Sequence, residues 1–232
     1  RRYLSEPPFY MQLSLRDAAA ALKVSEGTVL RWIESAGLPA QRVQGAYRIS
    51  PAELLEWATA RRIEVPPGAF GGESADVHSV AASLERGGVH YGVAGNDTAE
   101  LLTRMVELLP LPEDADRGLL TEMLIARERL GSTAVGGGIA IPHVRHPVIL
   151  PGALPMTALF FPAQPVDYGA PDGEPARALF LAITPNQRVH VTFLSRLAAV
   201  VADEGFRALL ARQAPAPEIL EAAARAERAR SH

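Results

Sequence analysis

Residues 63–78 interrupt the chain with Pro66-Pro67-Gly68 and Gly71-Gly72-Glu73-Ser74. Proline fixes φ and lacks an N–H, and glycine raises the entropic cost of order, so neither suits a helix or strand interior. The stretch reads as a linker. It divides the chain into two folded units, residues 10–62 and residues 79–226. A length of 232 residues accommodates two modest domains, and a hydrophobic share of 48% gives them cores and excludes wholesale disorder.

The two parts differ in charge. Residues 1–62 carry nine Lys+Arg against six Asp+Glu, net +3, whereas the remainder carries fourteen against twenty, net −6. The first part is therefore the one suited to a polyanion. There is no cysteine, which rules out disulfide scaffolds, thiolate zinc sites and cysteine nucleophiles and fits a reducing compartment. No run of 18 apolar residues occurs, and Arg1-Arg2-Tyr3-Leu4-Ser5-Glu6-Pro7-Pro8 lacks the apolar centre of a signal peptide. The expectation is a soluble, cytoplasmic chain without membrane insertion.

The first unit shows helix punctuation. Ser14 stands as a cap before Arg16–Leu22, with Asp17 favourable to the helix dipole. After a break at residues 23–27, a second helix runs over Thr28–Ala36 and Gly37 stops it. Arg42-Val43-Gln44, Gly45 and Ala46-Tyr47-Arg48-Ile49 read as a hairpin. Ser50-Pro51-Ala52-Glu53 opens a third helix, with Ser50 as cap, Pro51 at its first position and Glu53 completing a capping box.

The second unit alternates helix and strand signals. A short apolar helix is expected at Val77–Leu84 and an extended segment at Gly87–Val93. Thr98–Leu109 is amphipathic, with Leu101, Leu102, Met105, Leu108 and Leu109 on one face. Gly118–Leu130 continues in helix, and Gly136-Gly137-Gly138 separates it from a brief strand at Ile139–Ile141. Met156–Phe161 and Ala178–Thr184 suit buried strands, and helices follow at Val189–Val201, Glu204–Arg212 and Glu218–Ala229. Strands interleaved with helices imply an α/β layered domain.

The densest constellation runs from Arg127-Glu128 to Pro142-His143. Glycines permit tight turns, a short strand follows, and Pro142 holds His143 at the end of a rigid element. Neutral imidazole is a good nucleophile near neutral pH. A phosphoryl carrier also needs donors for the phosphoryl oxygens, and Arg127, Ser132 and Thr133 lie in the same segment. His190, at the start of a helix, is a second imidazole for such a site. On residue chemistry alone, Pro-His after glycines is more often a turn than a catalytic site. Gly136-Gly137-Gly138 is no nucleotide loop, lacking both the Gly-Lys-Ser/Thr ending and G-x-G-x-x-G spacing. His146 reads as surface, and His78 and His90 receive no role. No metal and no cofactor is called for.

Arg127-Glu128-Arg129-Leu130-Gly131-Ser132-Thr133, followed by Gly138-Ile139-Ala140-Ile141-Pro142-His143, resembles the signature of phosphotransferase-system enzyme IIA of the fructose/mannitol/nitrogen-regulatory class. The resemblance runs over about residues 80–225. Asp167–Gly173 resembles the loop before that family's buried strand, Phe180–Pro185 the strand, and His190–Ala198 the following helix. The resemblance implies a mixed sheet flanked by helices, His143 as phosphoryl acceptor, Arg127 as the guanidinium beside it, His190 as auxiliary histidine, and a histidine-phosphocarrier protein as donor. One position departs: Val144 stands where the family usually has a small residue.

Residues 13–57 resemble the excisionase/MerR-type winged helix-turn-helix, on Leu15–Ile33, Gly37-Leu38-Pro39-Ala40, Tyr47-Arg48-Ile49 and the helix from Glu53. In such folds the second helix enters the major groove through its N-terminal residues. The resemblance turns Ser25, Thr28 and Arg31 toward DNA, with Arg42, Gln44 and Arg48 on the wing. Val24, Val29, Leu30 and Ile33 become core, and Trp32 is either core or phosphate contact. Such units also serve as protein-docking modules. A homodimer on a two-fold site is the expected form if DNA is bound. Three functions remain open: a regulator switched by phosphorylation, a plain phosphocarrier of a sugar system, and a non-phosphorylated interaction module.

Overall fold

The computed structural model describes residues 12–43, 45–61, 63, 65–66, 79–144, 155–185 and 187–229. Of the expected linker, only 63, 65 and 66 fall among them; Gln44, His78 and His146 also lie outside the described residues.

The first unit starts with α1 (Leu15–Ala21), closed by a reciprocal capping box in which the Ser14 hydroxyl accepts from the Asp17 N–H and the Asp17 carboxylate accepts from the Ser14 N–H. Helix α2 (Glu26–Ser35) begins two residues before the expected Thr28, because the Ser25 hydroxyl caps it by accepting from the Thr28 N–H. Strands β1 (Gln41–Val43) and β2 (Ala46–Arg48) pair antiparallel. Helix α3 (Pro51–Ala60) carries Ser50 as N-cap and Pro51 in its first turn. Trp32 belongs to the packed interior: its ring lies 5.0 Å from that of Trp57, whose indole N–H donates to the Ala36 carbonyl.

The second unit is built on a five-stranded mixed sheet. Its strands are β3 (Val89–Val93), β4 (Ala134–Gly136), β5 (Ile139–Ala140), β6 (Met156–Pro162) and β7 (Ala178–Ile183), in the order β3-β6-β7-β5-β4. Pairs β3–β6 and β5–β7 are parallel; β6–β7 and β4–β5 are antiparallel. Strand β4 had no sequence signal beyond its glycines. The turn into β5 is made by Gly137 and Gly138 at φ 65° and 72°, a region where a Cβ is strained.

Strands β6 and β7 are buried along their whole length, so both faces of the sheet need cover. Side chains alternate accordingly. Ala158, Phe160, Leu179 and Leu181 pack with α5 (Thr98–Leu108) and α6 (Arg117–Arg129). Leu159, Phe161, Phe180 and Ala182 pack with α4 (Val80–Gly87), α7 (Gln187–Val201), α8 (Glu204–Ala211) and α9 (Ala216–Ala229). Leu108, expected on the apolar face of α5, is 41% exposed: it lies in the last turn of the helix, at the margin of the face that Leu101, Leu102 and Met105 fill. Helix α4 begins at Val80, capped by Ser79; the expected start at Val77 lies outside the described residues.

The two units share one core. Leu54, Leu55, Trp57 and Ala58 of α3 belong to the same apolar cluster as Ile141, Phe180, Leu194 and Leu197, and α3 packs against α7 and β4.

Helix α4 lies so close to β6 that a Cβ on Gly87 would overlap the Thr157 carbonyl. Backbone cannot yield as a flexible side chain does, so overpacking here displaces the helix. Gly87→Ala is expected to lower unfolding free energy by about 1–3 kcal/mol in urea titration; a change near zero would show that α4 is free to shift.

Candidate functional site

His143 lies where the chain leaves β5 and runs beside β7. Pro142 cannot donate, but its carbonyl accepts from the Ala182 N–H at 3.0 Å, and His143 itself forms a parallel bridge with Ala182. The backbone under the imidazole is thereby fixed to a strand buried along its whole length. The His143 Nδ1 faces the Ile141 carbonyl at 2.7 Å. That oxygen only accepts, so Nδ1 carries hydrogen and Nε2 is the nitrogen directed outward. Val144 turns into the opposite side of the sheet and is buried there.

His190 stands in the first turn of α7, its ring 5.2 Å from that of His143 and tilted by 51°. The Thr184 hydroxyl meets His190 Nδ1 at 2.9 Å, while His190 Nε2 is buried without a hydrogen-bond partner. Burial above all, and then the charge of His143, lowers His190 to about 3; Glu56 opposes this and Arg127 adds to it. His190 is therefore neutral at physiological pH. With Thr184 donating to Nδ1, its Nε2–H is a spare donor beside His143.

Arg127 is buried at the end of α6 and donates to the Gly131 carbonyl at 2.8 Å. Ser132 and Thr133 line the same small pocket as His143, but their hydroxyls are engaged. Ser132 donates to the Tyr168 carbonyl. Thr133 donates to Glu128 through both its N–H and its hydroxyl, each at 2.7 Å. Burial raises the Glu128 carboxyl, with the Thr133 bonds acting against it. The Ser132–Thr133 turn is thus held rigidly, with Glu128 as its anchor.

A residue without a sequence signal of its own completes the site. Glu56, from α3 of the first unit, places Oε1 2.6 Å from His143 Nε2 and its other oxygen on the Arg127 guanidinium. Its side chain is 25% exposed, and His143 beneath it only 3%. Burial would raise the Glu56 carboxyl, but the hydrogen bond from His143 and the positive charges of His143 and Arg127 together hold it below the usual carboxylate range. Glu56 is therefore an acceptor. Both ring nitrogens of His143 face acceptors, so both bonds form only when both nitrogens carry hydrogen. A hint was present in the sequence: Leu54, Leu55, Trp57 and Ala58 spread apolar residues around more than one helix face, too many for a surface helix.

On the DNA side of the reading, Ser25 and Thr28 are joined by a 2.9 Å hydroxyl contact at the start of α2, and Arg31 is exposed. Arg42 is exposed and lies over the Tyr47 ring. Arg48 is half-buried and lines a cleft of about 630 Å³ between the units, together with Glu53, Arg127 and Ser132. Among the described residues, no group of three or more His, Asp or Glu gathers as a metal would require, and no helix is long and apolar enough to cross a membrane.

Comparison with known proteins places these features. Residues 83–225 match the family described as phosphoenolpyruvate-dependent sugar phosphotransferase system, EIIA 2, and residues 13–62 match a helix-turn-helix domain. The nitrogen regulatory protein of Pseudomonas aeruginosa is 38% identical over 133 residues, covering 55% of this chain and 82% of that protein. The fructose-specific EIIA component of Haloferax volcanii is 33% identical over 106 residues, covering 43% of this chain and 67% of that protein. The crystal structure of nitrogen regulatory protein IIA-Ntr from Neisseria meningitidis superposes with a TM-score of 0.54 at 28% identity, over 62% of this chain and 98% of the other. The expected architecture, a helix-turn-helix followed by a mixed sheet flanked by helices, agrees with these likenesses.

The neutral, buried His190 gives stability a pH signature. Between about 6.5 and about 3 the unfolded chain binds a proton that the folded chain refuses. Stability therefore falls as pH falls through that window, by up to about 1.4 kcal/mol per pH unit. His190→Gln is expected to flatten that slope in urea titrations between about pH 6.5 and pH 5; equal slopes in the two proteins would refute the neutral, buried state.

Proposed function

The chain belongs to the phosphoenolpyruvate-dependent sugar phosphotransferase EIIA 2 family, and on that premise we propose that it is a regulator in which His143 accepts a phosphoryl group from a histidine-phosphocarrier protein and thereby modulates DNA binding by the helix-turn-helix. The observation that carries the reading is the imidazole itself. Nδ1 is pinned by the Ile141 carbonyl, which directs Nε2 away from the sheet toward a guanidinium and a second, neutral imidazole. In the transfer, a new N–P bond forms at His143 Nε2 as the donor's N–P bond breaks, and the electron pair returns to the donor's ring.

Phosphoryl oxygens carry charge throughout a loose transition state, so fixed donors aimed at them supply the catalysis. Arg127 is the cation for that charge, and the His190 Nε2–H is a donor that suffers no loss of solvation at the moment of reaction. Ser132 and Thr133 shape the wall of the phosphate site through a turn anchored on Glu128. The nitrogen regulatory protein of P. aeruginosa supports placing the chain on the regulatory side of the family; the helix-turn-helix supports DNA as the output.

For that output, the exposed start of α2 carries Ser25, Thr28 and Arg31, and the hairpin in the wing position carries Arg42 and Arg48. Ser25 doubles as the cap of α2, so its hydroxyl serves the helix first. Gln44 belongs to the same proposed surface.

The decisive assay is transfer of radiolabelled phosphate from a phosphorylated histidine-carrier protein to the wild type and to His143→Ala. Acid-labile label on the wild type, absent from the variant, is the expected result; a wild type that takes no label from any of several carriers overturns the acceptor role. Arg31→Ala is expected to weaken binding to duplexes selected from a random pool and to reduce the salt slope by about one counterion; unaltered binding removes α2 from the interface.

A further inference from the structure

The helix-turn-helix does more than share a chain with the phosphoryl site: it covers it. Leu55 and Thr59 of α3 stand against Leu194 and Ala198 of α7, and Glu56 between them reaches the imidazole. Glu56 Oε1 is 2.6 Å from His143 Nε2, and Oε2 takes the Arg127 guanidinium. A carboxylate thus occupies the position between cation and nucleophile that a phosphoryl group would take, with the same sign of charge and the same partners. Among the described residues, the polar contacts of Glu56 across the boundary are to His143 and Arg127 of the acceptor site.

We propose that α3 is an intramolecular gate on this site, with Glu56 acting as a stand-in for the phosphoryl group, so that docking of the helix-turn-helix and phosphorylation of His143 exclude each other. The inference rests on the reading of His143 as acceptor. Three facts make the exclusion physical. His143 is 3% exposed under α3, so no donor protein reaches it without displacement of the helix. Nε2 holds its hydrogen toward Glu56, which leaves no in-plane lone pair for attack. A phosphoryl group on that nitrogen carries a charge of about −1.5 to −2 and would sit against the Glu56 carboxylate, a like-charge contact in a site poorly screened by water. The proton on Nε2 passes to water as α3 lifts, and the N–P bond then forms at the freed lone pair.

The gate is reciprocal by linkage: whatever holds α3 down slows phosphorylation, and phosphorylation releases α3 to the same extent in free energy. Docking leaves the start of α2 exposed but holds Arg48 of the hairpin in the cleft between the units. Release therefore delivers Arg48 to the DNA-facing surface, and DNA affinity rises with phosphorylation. The N-terminal unit meets two partners with two faces, the acceptor site through α3 and DNA through α2 and the hairpin.

The test uses the full chain. Phosphoryl acceptance by Glu56→Ala should be about tenfold faster than by wild type, since a charge-assisted hydrogen bond over the nucleophile has been removed. Because the protein has no cysteine, Glu34→Cys and Glu122→Cys, both at exposed positions, accept spin labels that report the separation of the two units. The separation should be narrowly distributed in the wild type and should broaden in Glu56→Arg, which opposes Arg127 with a like charge, and broaden in the wild type after phosphorylation. Equal acceptance rates in wild type and Glu56→Ala, or a narrow distribution persisting in Glu56→Arg, overturns the gate. Broadening in Glu56→Arg with no label on either wild type or Glu56→Ala keeps the docking and overturns the acceptor role instead.

Discussion

Strands β6 and β7 are buried on both faces from end to end, and the chain has to supply two complete layers to cover them. Helices α5 and α6 complete one layer. The other, formed by α4, α7, α8 and α9, leaves the edge beside β4 and the start of α7 open, and α3 of the first unit closes it. At about 25 cal/mol per Å² of apolar surface, leaving Leu55 and the wall of α7 in water is unfavourable, and this holds the two units together. The placement of Glu56 over His143 follows from that packing, because Leu55 and Glu56 are neighbours on one helix.

The same constraint organises the site around His143. His143 is held by backbone bonds to β7, with Pro142 accepting and Ala182 donating. His190 is held by the start of α7, which packs on the same strand through Val191 and Leu194. Arg127 comes from the end of α6 on the opposite layer. Two imidazoles and a guanidinium thus converge from three elements at one end of the sheet, each rigid for its own reason. Preorganisation of this kind lets a phosphoryl site act without rearranging at the moment of transfer.

Glu128 shows how the supporting groups are used. Its carboxylate accepts both bonds from Thr133, and the adjacent Ser132 bonds the Tyr168 carbonyl. The hydroxyls that residue chemistry assigned to phosphate binding therefore first serve to fix the turn between α6 and β4. The walls of that turn are thereby held in a defined geometry. Ser25 repeats the pattern at the other end of the molecule, where a hydroxyl assigned to DNA caps α2.

Much of this was legible in the residues alone. Caps such as Ser14 with Asp17, and Ser50 before Pro51, act within one helical turn and are written locally. The apolar runs at 156–161 and 178–184 announced buried strands, and Pro142-His143 after a glycine turn stood out as the candidate site. Gly136-Gly137-Gly138 gave the turn but not β4, because a short edge strand is made by pairing with β5 rather than by its own sequence. Leu108 misled, since amphipathic periodicity fixes a stripe only to within a residue's rotation until the partner surface is known. Glu56 had no local mark at all: a glutamate in the middle of a helix is ordinary, and its role depends on a contact 87 positions away. Sequence by itself determined the local elements and singled out Pro142-His143, because propensity, capping and strand burial are local. Only tertiary structure decided that α3 of the first unit lies over His143, because that depends on which surfaces two separate stretches of chain leave open to each other.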